Sequence, residues 1–208
     1  MSIRISATKT NLLRTKKTLS LCREGHQLLD EKRKILLMEI SSLTIIIEKI
    51  QKDVDDSIEK AYRAVEKALV SMGKNKLEQI AAGIDIQVQI ELSERKVMGA
   101  TLPQVSLSIK ENPPFFSPVG ISPHVDEAII LMKEALKNIA LLAEKKISLM
   151  RLEQEFLRAT KKVNALEKIH IPYYSEIVKF IADRLDEESR EAFATLKEIK
   201  KKIVSRES

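Results

Sequence analysis

Residues 8–72, TKTNLLRTKKTLSLCREGHQLLDEKRKILLMEISSLTIIIEKIQKDVDDSIEKAYRAVEKALVSM, decide the fold. One column runs Leu12, Leu19, His26, Arg33, Ile40, Ile47, Val54, Ala61 and Ala68. A second, three residues on, runs Thr15, Cys22, Leu29, Leu36, Leu43, Ile50, Ser57, Ala64 and Ser71. A 3–4 alternation sustained this long is the pattern of a left-handed coiled coil. A helix over 8–72 is on the order of 100 Å long at ~1.5 Å per residue. Such a helix must protrude or be sheathed by partners.

The C-terminal part answers it. Val125, Ile129, Met132, Leu136, Ile139 and Ala143 alternate by four and three. Ala128, Ala135, Leu142, Leu149, Phe156 and Val163 recur every seven. Beyond Ile171-Pro172 a stripe resumes at Ile177, Ile181, Leu185, Ala192, Leu196, Ile199 and Ile203. Proline inside a helix removes a hydrogen bond and bends the axis, so Pro172 is expected to be a kink or the first turn of a new helix.

Helix breakers cluster between these segments. Five of the 6 prolines lie between Pro103 and Pro123, and four of the 5 glycines between Gly73 and Gly120. Within this centre Ile84, Ile86, Val88, Ile90 and Leu92 alternate with Asp85, Gln87, Gln89 and Glu91, the period of a half-buried strand. Val105, Leu107 and Ile109 alternate with Ser106 and Ser108 and supply its partner. Two strands alone are marginal, so the hairpin is expected to lean on the coiled coil or on another subunit. Residues 112–123, NPPFFSPVGISP, form an extended connector, after which Ser122 or Asp126 caps the returning helix.

The expected fold is therefore mainly α: a long antiparallel two-helix coiled coil with a short central β-hairpin. Its parts are an N-terminal coiled-coil helix (1–75), a hairpin and connector (76–123), and a C-terminal coiled-coil helix with a kink near Pro172 (124–208). The antiparallel return puts both termini at one tip.

Composition supports helices. Among 208 residues, 32% are charged, 4% are aromatic, and none is Trp. Its 5 Gly and 6 Pro fall well below the roughly 12% of average chains. One Cys excludes a disulfide framework or a Cys-rich metal site and fits a reducing compartment. No apolar run approaches the ~20 residues of a membrane span, and MSIRISATKT lacks a signal-peptide core. A cytoplasmic chain with no direct membrane insertion is expected. No phosphate loop, nucleophile elbow or zinc motif is present; His26, like Arg33, occupies a core column, where a polar residue fixes register, and His124 and His170 are not read as metal ligands. No catalytic residue, cofactor site or metal site is assigned.

Net charge is +6, concentrated at residues 1–34 and 197–208. This basic tip reads as a solvated coiled-coil end, as a segment inserted into an electronegative partner, or as a nucleic-acid arm. No aromatic platform supports the last reading, and no nucleic-acid partner is assigned.

A second apolar stripe, Ile58, Tyr62, Val65, Leu69 and Met72, lies beside columns that hold only Ser and Ala from Ser57 to Ser71. A helix with two apolar stripes packs against more than one neighbour. The hairpin folds back over this stripe, or another subunit docks there. Ile58, Tyr62, Val65, Leu69, Met72, Ile86 and Val88 are the candidate partner-binding residues.

Several motifs resemble one family. Thr8-Lys9, Leu12, Leu19, Gly25, Leu28-Leu29 and Lys32-Arg33 follow its opening pattern. Met98-Gly99 and Pro103 follow in the centre. Then come Val163-Asn164-Ala165-Leu166-Glu167, Ile171-Pro172, Leu185 and Leu196-Lys197. The chain resembles the D subunit of the V-type and A-type rotary ATPases over essentially its whole length. Ala7, where the family often has Pro, and Lys161-Lys162, where arginines are common, depart from it. The resemblance implies a non-catalytic central rotor shaft. Its basic tip would sit inside the ring of catalytic (A) and non-catalytic (B) subunits. Its other end would join the small rotor subunit (F) and the funnel subunit above the membrane ring. It would lie on the cytoplasmic face and couple ATP hydrolysis or synthesis to H⁺ or Na⁺ translocation, without a cofactor of its own. The alternative is a free-standing coiled-coil scaffold or adaptor.

Overall fold

The computed structural model describes residues 6–111, 113, 115–117 and 120–207, with backbone alone for 203–207. Helix α1 (Lys9–Met72) is followed by a short helix α2 (Lys74–Gly83). Strands β1 (Ile86–Val97) and β2 (Ala100–Glu111) come next. Helix α3 (Pro123–Ala165), a π-turn (Leu166–His170) and helix α4 (Ile171–Glu207) complete the chain. Two long helices packed together, with a central two-stranded antiparallel hairpin, match the fold expected from sequence. Among the described residues no helix is long and apolar enough to cross a membrane.

The chain forms two compact units. One comprises Lys34–Phe156, the other Met1–Arg33 with Leu157–Ser208. In the first, α1 and α3 run antiparallel. Lys146 Nζ donates to Gln51 Oε1 across 2.7 Å, and Ile47, Val54 and Leu142 form a buried cluster. Leu43, Ile50, Ile58 and Leu149 pack around that cluster. Toward the hairpin end the α1 columns shrink to Ser57, Ala61, Ala64 and Ala68, all buried. Small side chains let the helix axes approach closely there, and the buried Ser57 hydroxyl is satisfied by the Val54 carbonyl at 2.9 Å.

Of the two apolar columns on α3, the one that recurs every seven residues is buried, together with Val125 at the start of the other. Ala128, Ala135 and Leu142 are buried, with Leu152 on the column three residues on. The Met132–Leu136–Ile139 stripe is turned outward, Leu136 being 37% exposed. Two apolar columns one position apart on a helix look alike in sequence. The helix rotates to bury the one that meets α1.

In the second unit Thr15 and Leu19 of α1 are buried, as are Ala159 and Val163 of α3 and Ile177 and Ile181 of α4. The Thr15 hydroxyl donates to the Asn11 carbonyl at 2.7 Å, which allows its burial. His26 and Arg33 are half-buried, as polar residues on core columns. Pro172 sits in the first turn of α4. It has no N–H to return and its ring crowds the preceding turn. The chain accommodates this by widening the turn before it, where the Ile171 N–H reaches the Leu166 carbonyl five residues back. Residues 186–202 are exposed throughout, including Phe193 at 73%, Leu196 and Ile199. The expected continuation of the seam through Ala192, Leu196 and Ile199 is therefore not buried, because no described residue covers that face; the Ile203 side chain lies outside the described residues.

Between α1 and the hairpin, Gly73 adopts φ 79° and breaks the helix, which restarts as α2. The sequence reading missed α2. Its Leu77, Ile80 and following Ile84 form a short 3–4 stripe that read as part of the breaker-rich centre. Strand pairing follows the alternation: Val88 faces Ile109, Ile90 faces Leu107, and Leu92 faces Val105. Met98 (φ 48°) and Gly99 (φ 83°) close the hairpin with both central residues left-handed, the geometry of a type I′ turn. The expectation of a half-buried β1 is corrected. Ile90 is 61% and Leu92 73% exposed: the polar links to α3 run from β2, and only the ends of β1, Ile86 and Val97, are half-buried. In the connector, the extended run expected at Asn112, Pro114, Pro118 and Val119 lies outside the described residues. Pro123 opens α3, a position where proline's missing N–H costs nothing. Ser122 precedes it, its Oγ accepting from the His124 N–H at 3.4 Å.

Candidate functional site

An apolar recess of about 610 Å³ opens at the α2 end of the Lys34–Phe156 unit. Val65, Ala68 and Leu69 of α1 form one wall, and Leu77, Ile80 and Ala81 of α2 another. Ile86 and Ile109 of the hairpin close a third side. The outward stripe of α3, with Ile129, Met132 and Leu136, closes the fourth. The stripe absent from the helix seam is thus used here.

Charge is confined to the rim. Lys133 pairs with Glu111 of β2 and lies over the Phe115 ring, 5.6 Å from its centre. Lys74 faces Glu78 at 3.8 Å. Lys76 Nζ donates to the Gly120 carbonyl at 2.7 Å and ties α2 to the connector.

The structure brings together Val65, Leu69 and Ile86 of the predicted partner-binding residues. Tyr62 lies one turn before Val65 and is 61% exposed, and Val88 stands exposed on β1. The other two face inward. Ile58 packs on the α1–α3 cluster, and Met72 Sδ accepts the Ser122 N–H at 3.3 Å. Sequence reasoning missed the walls from α2 and α3. The apolar spacing of Leu77, Ile80 and Ile84 was the available signal for the first.

A second feature sits farther along α3. Glu144 is 7% exposed, and its Oε2 accepts the Val105 backbone N–H at 2.8 Å while Oε1 accepts Lys145 Nζ at 2.6 Å. Burial opposes the charged form. The Lys145 hydrogen bond, the Val105 amide and the Lys145 charge outweigh it and hold the carboxyl below the usual carboxylate range.

These features define a class: a coiled-coil component of a larger assembly, whose shaped surface is an apolar recess framed by helices and a hairpin. Comparison with known proteins gives the family. The family model for the ATP synthase D subunit matches residues 11–201. The D subunit of the A-type ATP synthase of Pyrococcus furiosus is 34% identical over 209 residues, covering 99% of this chain and 98% of the relative. The D subunit of the V-type ATP synthase of Thermotoga neapolitana is 30% identical over 199 residues, covering 96% and 98%. The corresponding A-type protein of Thermococcus sibiricus is 32% identical over 201 residues, covering 95% and 94%. The chain belongs to the D-subunit family of V- and A-type ATP synthases, a component of the central stalk and not a catalytic subunit.

Proposed function

We propose that this chain is the rotating shaft that couples ATP turnover in a ring of catalytic and non-catalytic subunits to H⁺ or Na⁺ movement through the membrane sector. The observation that carries the reading is the buried two-column seam between long antiparallel helices, in a chain matched to the D-subunit family over almost its full length. A shaft transmits torque only if it resists twist, and a sealed seam of interlocked side chains supplies that stiffness. The small rotor subunit docks at the recess, on Tyr62, Val65, Leu69, Ile86 and Val88. The funnel subunit above the membrane ring takes the same end of the shaft. The basic tip enters the catalytic ring, where solvated Lys and Arg make weak contacts that can exchange as the shaft turns. The complex holds the chain on the cytoplasmic face of the membrane.

The test is reconstitution of the complex in vesicles with and without this chain, reading ions moved per ATP hydrolysed. Loss of coupled transport in its absence, with nucleotide binding by the ring retained, is the expected result. Transport that persists without it would overturn the reading in favour of a free-standing scaffold.

A further inference from the structure

The hairpin is held to α3 by polar groups. Along β2, three polar links reach α3 in antiparallel order: Glu111 to Lys133, the Val105 N–H to Glu144, and the Thr101 carbonyl to Arg151 at 2.7 Å. Ten residues of strand cover about 34 Å and eighteen of helix about 27 Å, a mismatch that the long Lys and Arg side chains absorb. All three links fall on β2. The Ile90–Leu92 part of the apolar face remains exposed on β1.

Strand parity explains how the links form without breaking the ladder. Val105 is opposite Leu92, yet its N–H goes to Glu144. The pair is therefore a non-hydrogen-bonded one, and odd-numbered residues of β2 aim their backbone groups away from β1. The Thr101 carbonyl does the same. Pro103 occupies the same parity, where its missing N–H costs no ladder bond.

Ala100 at the hairpin tip is buried, but the packing beside it is incomplete. A hollow of about 430 Å³ separates Val97, Leu102 and Pro103 from Leu43 and Ile46 of α1 and Leu152 of α3. Close-packed apolar contact is the usual way a layer is sealed. Here a charge-assisted hydrogen bond to a buried carboxylate takes that place.

We propose that the hairpin is a releasable strap: β1 and β2 lift from the coiled coil as one unit, and the Glu144–Val105 bond is the latch that sets how often they do. Glu144 is a positioning residue in this device. The latch uses backbone groups that the ladder does not, so β1 and β2 leave together, and the freed two-stranded ribbon, marginal on its own, then exchanges along both strands. Release opens the hollow bordered by Leu43, Ile46 and Leu152 to solvent while the α1–α3 seam stays closed, the behaviour of a local opening unit.

The test is hydrogen–deuterium exchange on the full-length chain at neutral pH, without any ring subunit, so it stands apart from the rotor reading. Peptides spanning 86–111 are compared with coil peptides spanning 43–58 and 142–156. Glu144→Ala is expected to speed exchange across both strands at least about tenfold while leaving the coil peptides unchanged. Val105→Pro removes the donor but leaves α3 intact, and it is expected to act likewise. Glu144→Gln, which keeps the acceptor and loses the charge, is expected to fall between the parent and Glu144→Ala. If Glu144→Ala reduces helicity by circular dichroism, Val105→Pro decides the matter. Unchanged strand exchange in Val105→Pro, or strand and coil peptides accelerating together, overturns the proposal.

Discussion

Ser122 donates its backbone N–H to the Met72 sulfur across 3.3 Å, joining the end of α1 to the cap of α3 although the two residues are 50 apart in sequence. The bond closes the loop that carries α2 and the hairpin. It also explains why Met72 is turned inward and not offered to a partner. The helical walls of the recess therefore rest on a tied base.

The recess gives the first prediction. Val65→Asp with Leu69→Asp places two charges where a partner would bury them, at a cost of several kcal/mol. Val65 is half-buried and Leu69 exposed, so helicity is expected to survive. Affinity for the small rotor subunit, measured by titration calorimetry, is expected to fall at least about a hundredfold. Native affinity would move the docking face elsewhere.

The seam gives the second. Leu142 is buried against Ile47 and Val54, whereas Leu136 faces outward. Leu142→Ala is expected to destabilise by about 2–5 kcal/mol. Leu136→Ala is expected to cost roughly 1 kcal/mol or less, since its side chain keeps much of its water contact. Urea unfolding monitored by circular dichroism separates them. Equal losses would mean that the outward stripe is in the seam after all.

Acid gives the third. The Glu144 carboxyl is held below its ordinary value, so its protonated form is the less favoured one in the folded chain. Its contribution is fully present above the unfolded value of about 4.3 and is lost as pH falls through the lowered folded value. At pH 7 Glu144→Gln is expected to be less stable than the parent by about 1–3 kcal/mol. The gap is expected to narrow progressively in acid below that unfolded value. A gap independent of pH would show that the charge on Glu144 does not contribute.

The tail gives the fourth. Residues 197–202 are exposed, so deleting 197–208 is expected to change the unfolding midpoint of the isolated chain little. In the reconstituted complex the deletion is expected to weaken association with the ring and lower the ions moved per ATP. Single changes such as Lys200→Ala or Lys201→Ala are expected to leave turnover within a few-fold, because exposed charge pairs contribute only about 0–1 kcal/mol each. Unchanged assembly and coupling after the deletion would show that this tip is not the engaged end.

Whatever depends on local period was legible in the residues alone. The heptad columns of α1 predicted Leu19, Leu36, Ile47, Val54, Ala61 and Ala68 as buried, and they are. The alternation in the centre predicted which strand residues share a face, and the pairing of Val88, Ile90 and Leu92 with Ile109, Leu107 and Val105 follows it. Glycine and proline marked the breaks because left-handed backbone and a missing N–H are properties of single residues. Tertiary structure alone decided which α3 column meets α1, which strand lies on the helix and which stays open, and that Glu144 binds a backbone amide 39 residues away. Two neighbouring apolar columns on one helix satisfy the same local pattern. Only the arrival of a partner surface, with one register of burial and hydrogen bonding, makes them unequal.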